Sequence, residues 1–268
     1  MSQETAREII AEVVEKRSRL GLFCCDMRDL LPLIPDHSVD LIITDPPYDN
    51  SAHWMYFFLY QEAGRLLKPG GHYLCITPQY LLCPFNSSLR SFIPEGWQDP
   101  NDLKLRWTIQ MRQDEGPHPR LVNGDRNLEV LGKTISLYTA LPRTNNDYRG
   151  LRDSFDSRPI DKRDKLHKWQ QSKEWAEYCL QLAPPEPGAV ILDPMIGAGT
   201  IPLFAYKQGH YVLGCDMDPE ALKITRERLA EEGVTVEAER ETRGSGEDAP
   251  GDLEQSASPE VCSESGDL

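Results

Sequence analysis

Long hydrophobic runs are missing from this 268-residue chain. No stretch approaches the roughly 20 apolar residues needed to cross a bilayer, so no membrane partner is expected. The first twenty residues, MSQETAREIIAEVVEKRSRL, are charged and amphipathic. They lack the apolar core and cleavage site of a secretory leader, which points to a cytoplasmic location. Paired cysteines are missing too. Cys24, Cys25, Cys75, Cys83, Cys179, Cys215 and Cys262 form no C-x-x-C pair, and several sit in apolar runs such as YLCIT and VLGCDMD. They read as buried reduced thiols, and no metal site is expected. Positive charge is scarce, with 29 Lys and Arg against 43 Asp and Glu and a net charge of −14. Taken whole, that argues against a nucleic-acid partner, but the deficit is local. Residues 231–268 hold twelve acidic groups against two basic ones, Arg240 and Arg243, a net of −10, which leaves −4 for the other 230 residues. Residues 101–173 hold fifteen Lys and Arg against ten Asp and Glu, a local +5. A local basic surface is what phosphate contact requires.

What is present is enough apolar residue, 39%, for one α/β domain with an insertion and ragged ends. Helical spacing runs over 3–17, with Ile9, Ile10, Val13 and Val14 on one face. Buried strands read at 20–25 (LGLFCC) and 39–44 (VDLIIT), with a short helical or turn segment, MRDLLPLI, between them. A helix over 54–67 stops at KPGG, and HYLCIT forms the next strand. LRWTIQMR and KTISLYTAL read as strands joined by a polar loop, QDEGPHPRLVNGDRNL, and residues 144–166 read as polar, basic and partly mobile. A helix over 172–183, strands at 189–192 and 211–215, and a helix from Pro219 to about Glu232 complete the pattern. From Gly233 the composition shifts to Glu, Ser, Gly, Pro and Asp, which suits a disordered tail. Strands alternating with helices imply a doubly wound, mostly parallel sheet. Ligands of such sheets bind beyond the carboxyl ends of the strands, where Asp26, Asp45, Asp193 and Asp216 fall.

One candidate constellation lies in AVILDPMIGAGTIPLFAYKQGHYVLGCDMDPEAL. A strand ends at Asp193, and Gly197 and Gly199 turn the chain into a helix. Glycine lets backbone approach a ligand closely. The next strand ends in Asp216, seventeen residues beyond Gly199, where a carboxylate can accept hydrogen bonds from ribose hydroxyls. GAGTIP lacks the third glycine of a dinucleotide fingerprint. The pattern therefore disfavours a nicotinamide cofactor and leaves S-adenosylmethionine, an adenosine without phosphate, open.

The second constellation is Asp45-Pro46-Pro47-Tyr48, directly after VDLIIT. Two prolines remove two N–H donors, so the stretch presents acceptors. An exocyclic amino group of a base offers two hydrogens, which Asp45 and the Pro46 carbonyl can accept. Tyr48 offers a flat surface for stacking. Positioning and electrostatics then suffice for methyl transfer from a sulfonium.

With these residues in place, the sequence resembles the amino-methylating DNA methyltransferases, which make N6-methyladenine and N4-methylcytosine. The family's catalytic D-P-P-Y corresponds to residues 45–48. Its cofactor motif D-P-F-x-G-x-G-T corresponds to Asp193-Pro194-Met195-Ile196-Gly197-Ala198-Gly199-Thr200, with Met195 in place of Phe. The order, catalytic motif first, is similar to the permuted β class. That resemblance implies a Rossmann-like methyltransferase sheet with a target-recognition insertion, S-adenosylmethionine as cofactor and DNA as substrate. It assigns Asp26 a place near the cofactor's adenine. It also assigns His167 and Gln170, the two residues that HKWQQS retains of the family's His-Pro-Thr-Gln-Lys-Pro, a place near the methionine part. It divides the chain into a catalytic first part (1–78), a target-recognition insertion (79–165), a cofactor-binding second part (166–232) and the acidic tail (233–268). Aspartate at the head of the catalytic motif favours adenine. Cytosine-N4 or RNA base methylation and a catalytically silent nucleic-acid-binding module remain the alternatives. Monomer and homodimer both stay open.

Overall fold

The computed structural model describes residues 1–48, 52–77, 103–113, 118–122, 126–130, 132–141, 151–158, 160, 165–167, 170–184 and 186–234. The expected disordered tail lies outside these residues, apart from its first two positions.

Helix α1 spans Gln3–Val14, where Ser2 caps the free N–H of Thr5 at 3.1 Å. Ala6, Ile10 and Val13 share its buried face. The helix ends three residues earlier than the spacing suggested, and Lys16 then takes a φ of +63°. Strand β1 (Leu20–Cys24) leads to the one-turn α2 (Met27–Leu30), and β2 covers Val39–Thr44. Helix α3 (His53–Leu66) passes without a break into β3 (Leu67–Ile76). The KPGG turn is absorbed into that strand as an irregularity. Val39 pairs with Leu67, and two residues later Leu41 pairs with His72. Gly71 is required there, because a Cβ would come 2.9 Å from the Asp40 carbonyl oxygen.

The middle of the chain is more ordered than its polarity suggested. Strands β4 (Leu103–Gln113) and β7 (Gly132–Ala140) correspond to the two expected. The intervening polar loop contains a hairpin of β5 (His118–Val122) and β6 (Arg126–Val130). Within 144–166 a further short strand, β8 (Ser154–Ser157), pairs parallel to β4. Helix α4 (Lys173–Leu180) is capped by Ser172. Strand β9 (Val190–Asp193), α5 (Thr200–Lys207), β10 (Tyr211–Asp216) and α6 (Pro219–Glu231) follow.

Eight strands form one sheet in the order β1-β10-β9-β2-β3-β7-β4-β8. Only β7 runs against its neighbours. Alternate residues of the central strands feed two faces. Ile42, Leu192 and Leu213 pack with Ile10 and Val13 of α1 and Leu59 and Leu66 of α3. Leu41, Ile43, Ile191 and Val212 pack with Trp175 and Cys179 of α4 and Ile201 and Ala205 of α5. Burial on both faces is why these strands read as unbroken apolar runs. From β2 the chain moves outward to β3, and from β9 it moves the other way to β10. The order therefore reverses between β9 and β2, and crevices form at such switch points. No helix among the described residues is long and apolar enough to cross a membrane.

Candidate active site

A cavity of about 850 Å³ opens at the carboxyl ends of β1, β10, β9 and β2. Thirteen of the fourteen residues singled out from sequence line it: Asp26, Asp45, Pro46, Pro47, Tyr48, His167, Gln170, Asp193, Pro194, Met195, Gly197, Thr200 and Asp216. Gly199 does not line it. Its φ is +73°, and a Cβ there would meet Thr225 of α6 at 2.5 Å, so this glycine serves the close approach of α6. Gly197, with φ of +50°, has nothing within 4 Å of its Cβ position.

The loop between β9 and α5 is built by internal hydrogen bonds. Asp193 Oδ1 accepts from Met195 N–H at 3.1 Å, and the Gly199 N–H donates to the Ile196 carbonyl at 2.8 Å. Asp216 accepts from Gly197 N–H at 2.8 Å through Oδ2 and from Asp218 N–H at 2.9 Å through Oδ1. Thr225 donates to the Gly197 carbonyl at 3.1 Å. A loop amide already held by a carboxylate does not cradle phosphate, which agrees with the absent third glycine. Each Asp216 oxygen still has a lone pair for a hydroxyl.

Asp193 is 4% exposed, and burial raises its carboxyl to about 8, with the Asp216 and Asp45 charges adding to the effect and the Met195 N–H opposing it. Asp26 caps α2 through Arg28 N–H at 2.8 Å and pairs with the Arg28 guanidinium at 2.6 Å. The Arg28 bonds hold its carboxyl below the usual range. Arg28 in turn lies 4.8 Å from the centre of the Trp54 ring. Nearby, His167 Nε2 is 3.7 Å from Asp218 Oδ2, and Gln170 Oε1 accepts from Leu166 N–H at 2.8 Å.

The turn after β2 is tied more tightly than its sequence suggested. The Tyr48 hydroxyl donates to Asp45 Oδ1. Burial first, and then the Asp45 charge, push the Tyr48 phenol well above its ordinary value. Tyr56 of α3 lies 3.2 Å from both the Pro46 and the Pro47 carbonyl oxygens and can donate to either. Asp45 Oδ2 accepts from the Gln171 side-chain amide and from Lys133 Nζ at 3.1 Å. Sequence reasoning did not single out Tyr56, Gln171 or Thr225, and Lys133 entered it only as one of the fifteen Lys and Arg of residues 101–173. These side chains arrive from α3, β7 and α6 and from the segment before α4, so no local spacing marks them. Among the described residues five aspartates line the cavity, at 26, 45, 193, 216 and 218, against Lys133 and Lys165, and with Asp193 keeping its proton up to about pH 8 four carboxylates still face two lysines. Such a lining suits a ligand that carries positive charge.

Comparison with known proteins bears on this geometry. No family model matches the chain. The Type II methyltransferase M.HpaI of Haemophilus parainfluenzae is 25% identical over 247 residues, covering 79% of this chain and 74% of that protein. The crystal structure of an M1.HpyAVI–SAM complex superposes with a TM-score of 0.57 at 17% identity, over 78% of this chain and 98% of the other. The PvuII DNA methyltransferase, described as cytosine-N4-specific, gives 0.62 at 14% identity, over 81% and 89%. The chain has the Rossmann-like fold of these methyltransferases.

Proposed function

We propose that this chain is a DNA methyltransferase that moves a methyl group from S-adenosylmethionine to an exocyclic amino group of a base, and that the acceptor is N6 of adenine. The observation that carries the reading is the convergence of two motifs, residues 45–48 and 193–200, on one acidic cavity at the sheet's switch point. S-adenosylmethionine fits that cavity. It carries a sulfonium and an ammonium for an acidic lining, a ribose diol for the remaining lone pairs of Asp216, and no phosphate for a loop whose Gly197 N–H is already engaged.

In this reading Asp216 holds the ribose and Asp26 lies by the adenine. Pro194, Met195, Gly197 and Thr200 shape the wall of the cofactor site, and Gly199 lets α6 close against it. His167 and Gln170 face the methionine part, and the Asp193 carboxyl closes the floor. When bound, the cofactor supplies a methyl group on a sulfonium, which departs as a neutral thioether. The chain's own work is positional. Asp45 and the Pro46 carbonyl accept the two amino hydrogens, which draws the nitrogen lone pair out of conjugation and turns it toward the methyl carbon. Pro46 and Pro47, having no N–H, present no competing donor. Tyr56 braces the turn by donating to one or other of the two carbonyls. Tyr48 keeps its hydroxyl on Asp45 while its ring packs against the base. After transfer, the nitrogen sheds one hydrogen as a proton along the Asp45 bond.

DNA reaches this site through the extracted base, and residues 79–165, with Arg106 and Arg112 of β4 among them, are proposed to read the target. Adenine rests on the aspartate at the head of the catalytic motif. Cytosine N4 is the second reading, favoured by the cytosine-N4-specific enzyme that shares the fold. The test is incubation with methyl-labelled cofactor and unmethylated DNA, followed by digestion to nucleosides. Label in N6-methyldeoxyadenosine is expected. Label in N4-methyldeoxycytidine would replace adenine with cytosine, and no label in DNA while a parallel incubation labels RNA would overturn the DNA assignment.

A further inference from the structure

Lys133 stands at the start of β7, on the same side of the sheet as Asp45. Its ammonium nitrogen is 3.1 Å from Asp45 Oδ2 and 5.2 Å from the centre of the Tyr48 ring. The pair is largely shielded, with side chains 19% and 17% exposed. A nitrogen that donates to Asp45 while lying beside the Tyr48 ring makes two of the three contacts set above for the target, the third being the bond to the Pro46 carbonyl. We propose that Lys133 is a built-in surrogate for that amino group, occupying its place in the base-free protein and yielding it when the base enters. The proposal rests on the function argued above.

Three observations support an exchange rather than a fixed bond. Asp45 Oδ2 accepts from both Lys133 and Gln171, while Oδ1 accepts from Tyr48. One carboxylate oxygen has about two lone pairs, so Oδ2 is full, and an amine that takes the Oδ2 position beside the Tyr48 ring must displace a donor. The Gln171 backbone is anchored, because its main-chain carbonyl accepts from the Thr200 hydroxyl at 3.2 Å, which leaves its amide a short two-carbon reach to Asp45. Lys133 reaches Asp45 at the end of a flexible four-carbon stem, and its ammonium keeps further donors for other acceptors after it leaves. Exchange trades one charge-assisted bond to Asp45 for a bond from the base, so the carboxylate is not stranded without a partner. A protonated amine also has no lone pair, so Lys133 can hold the place without accepting a methyl group.

The test titrates 9-ethyladenine and 1-methylcytosine into protein saturated with S-adenosylhomocysteine, which keeps the bases out of the cofactor site. Lys133→Met is expected to bind one of the two bases about tenfold more tightly than the unsubstituted chain, the factor that corresponds to about 1.4 kcal/mol. Lys133→Arg, which keeps the charge, is expected to stay near the starting affinity. Lys133→Thr, which suits a strand but cannot reach Asp45, is expected to match Lys133→Met and replaces it if that variant does not fold. In steady-state transfer to DNA, Lys133→Met is expected to lower KM. Base affinity that is unchanged or weaker in both charge-removing variants overturns the proposal, and so does a raised KM. A methyl group found on Lys133 by mass spectrometry after incubation with cofactor overturns it as well. Tighter base binding without methyl transfer to any nucleic acid would instead preserve the exchange and overturn the enzymatic reading.

Discussion

Asp216 Oδ2 accepts a hydrogen bond from the Gly197 backbone N–H at 2.8 Å, joining the end of β10 to the glycine turn that follows β9. The bond spans nineteen residues. It makes the carboxylate proposed to hold the ribose and the glycine turn a single unit.

Asp216→Ala is therefore expected to remove a proposed cofactor contact and also to loosen the loop. Losing a hydrogen bond to a charged group is worth about 1.5–3 kcal/mol, so cofactor affinity should fall roughly 10- to 100-fold. Calorimetric titration with S-adenosylhomocysteine checks this. Unchanged affinity would show that Asp216 serves the loop alone.

Gly199 demands glycine for a reason of packing. A Cβ would sit 2.5 Å from both Oγ1 and Cγ2 of Thr225, in a residue with φ of +73°. Gly199→Ala combines backbone strain with overpacking and is expected to destabilise the fold by about 2–4 kcal/mol. Gly197→Ala meets open space and carries only the strain, so it should cost less. Urea denaturation of both variants gives the comparison, and equal losses would contradict the assignment.

Asp193 ties stability to pH. Its folded carboxyl lies near 8, against an ordinary 3.8, with burial as the largest cause. Between about pH 4 and 8 the folded chain thus binds a proton that the unfolded chain has released, and stability falls as pH rises through that window. Asp193→Asn abolishes this titration. Its stability is expected to decline less between pH 5 and pH 8 than that of the unsubstituted chain, as read from urea midpoints. An equal decline would place the effect elsewhere.

How far the sequence carries depends on how local each feature is. The strand-to-turn units at Thr44–Asp45 and Leu192–Asp193 are legible, because an apolar run meets a polar residue and then Pro or Gly within a few positions. The sheet's core is legible for the same reason, since strands buried on both faces cannot hide their composition. Strand β8 is not legible. Its four residues, Ser154 to Ser157, have only Phe155 to mark them, and their order comes from pairing with Gln110 to Gln113. The hairpin strand β5 begins His118-Pro119, a pattern that reads as loop. The environment of Asp45 is the least legible feature, because Lys133 and Gln171 lie 88 and 126 residues away in the chain. Only the folded sheet brings them together.

In the proposed function Asp45 holds the acceptor amine while the turn after β9 holds the methyl donor. Methyl transfer from labelled S-adenosylmethionine to unmethylated DNA, measured for the unsubstituted chain and for Asp45→Ala alongside cofactor binding by each, tests it most directly. Labelled DNA is expected from the unsubstituted chain, with transfer reduced at least about a hundredfold in Asp45→Ala through loss of both positioning and electrostatic assistance, and with nearly equal cofactor affinity. No transfer to DNA from the unsubstituted chain at saturating cofactor, or full transfer from Asp45→Ala, would contradict it.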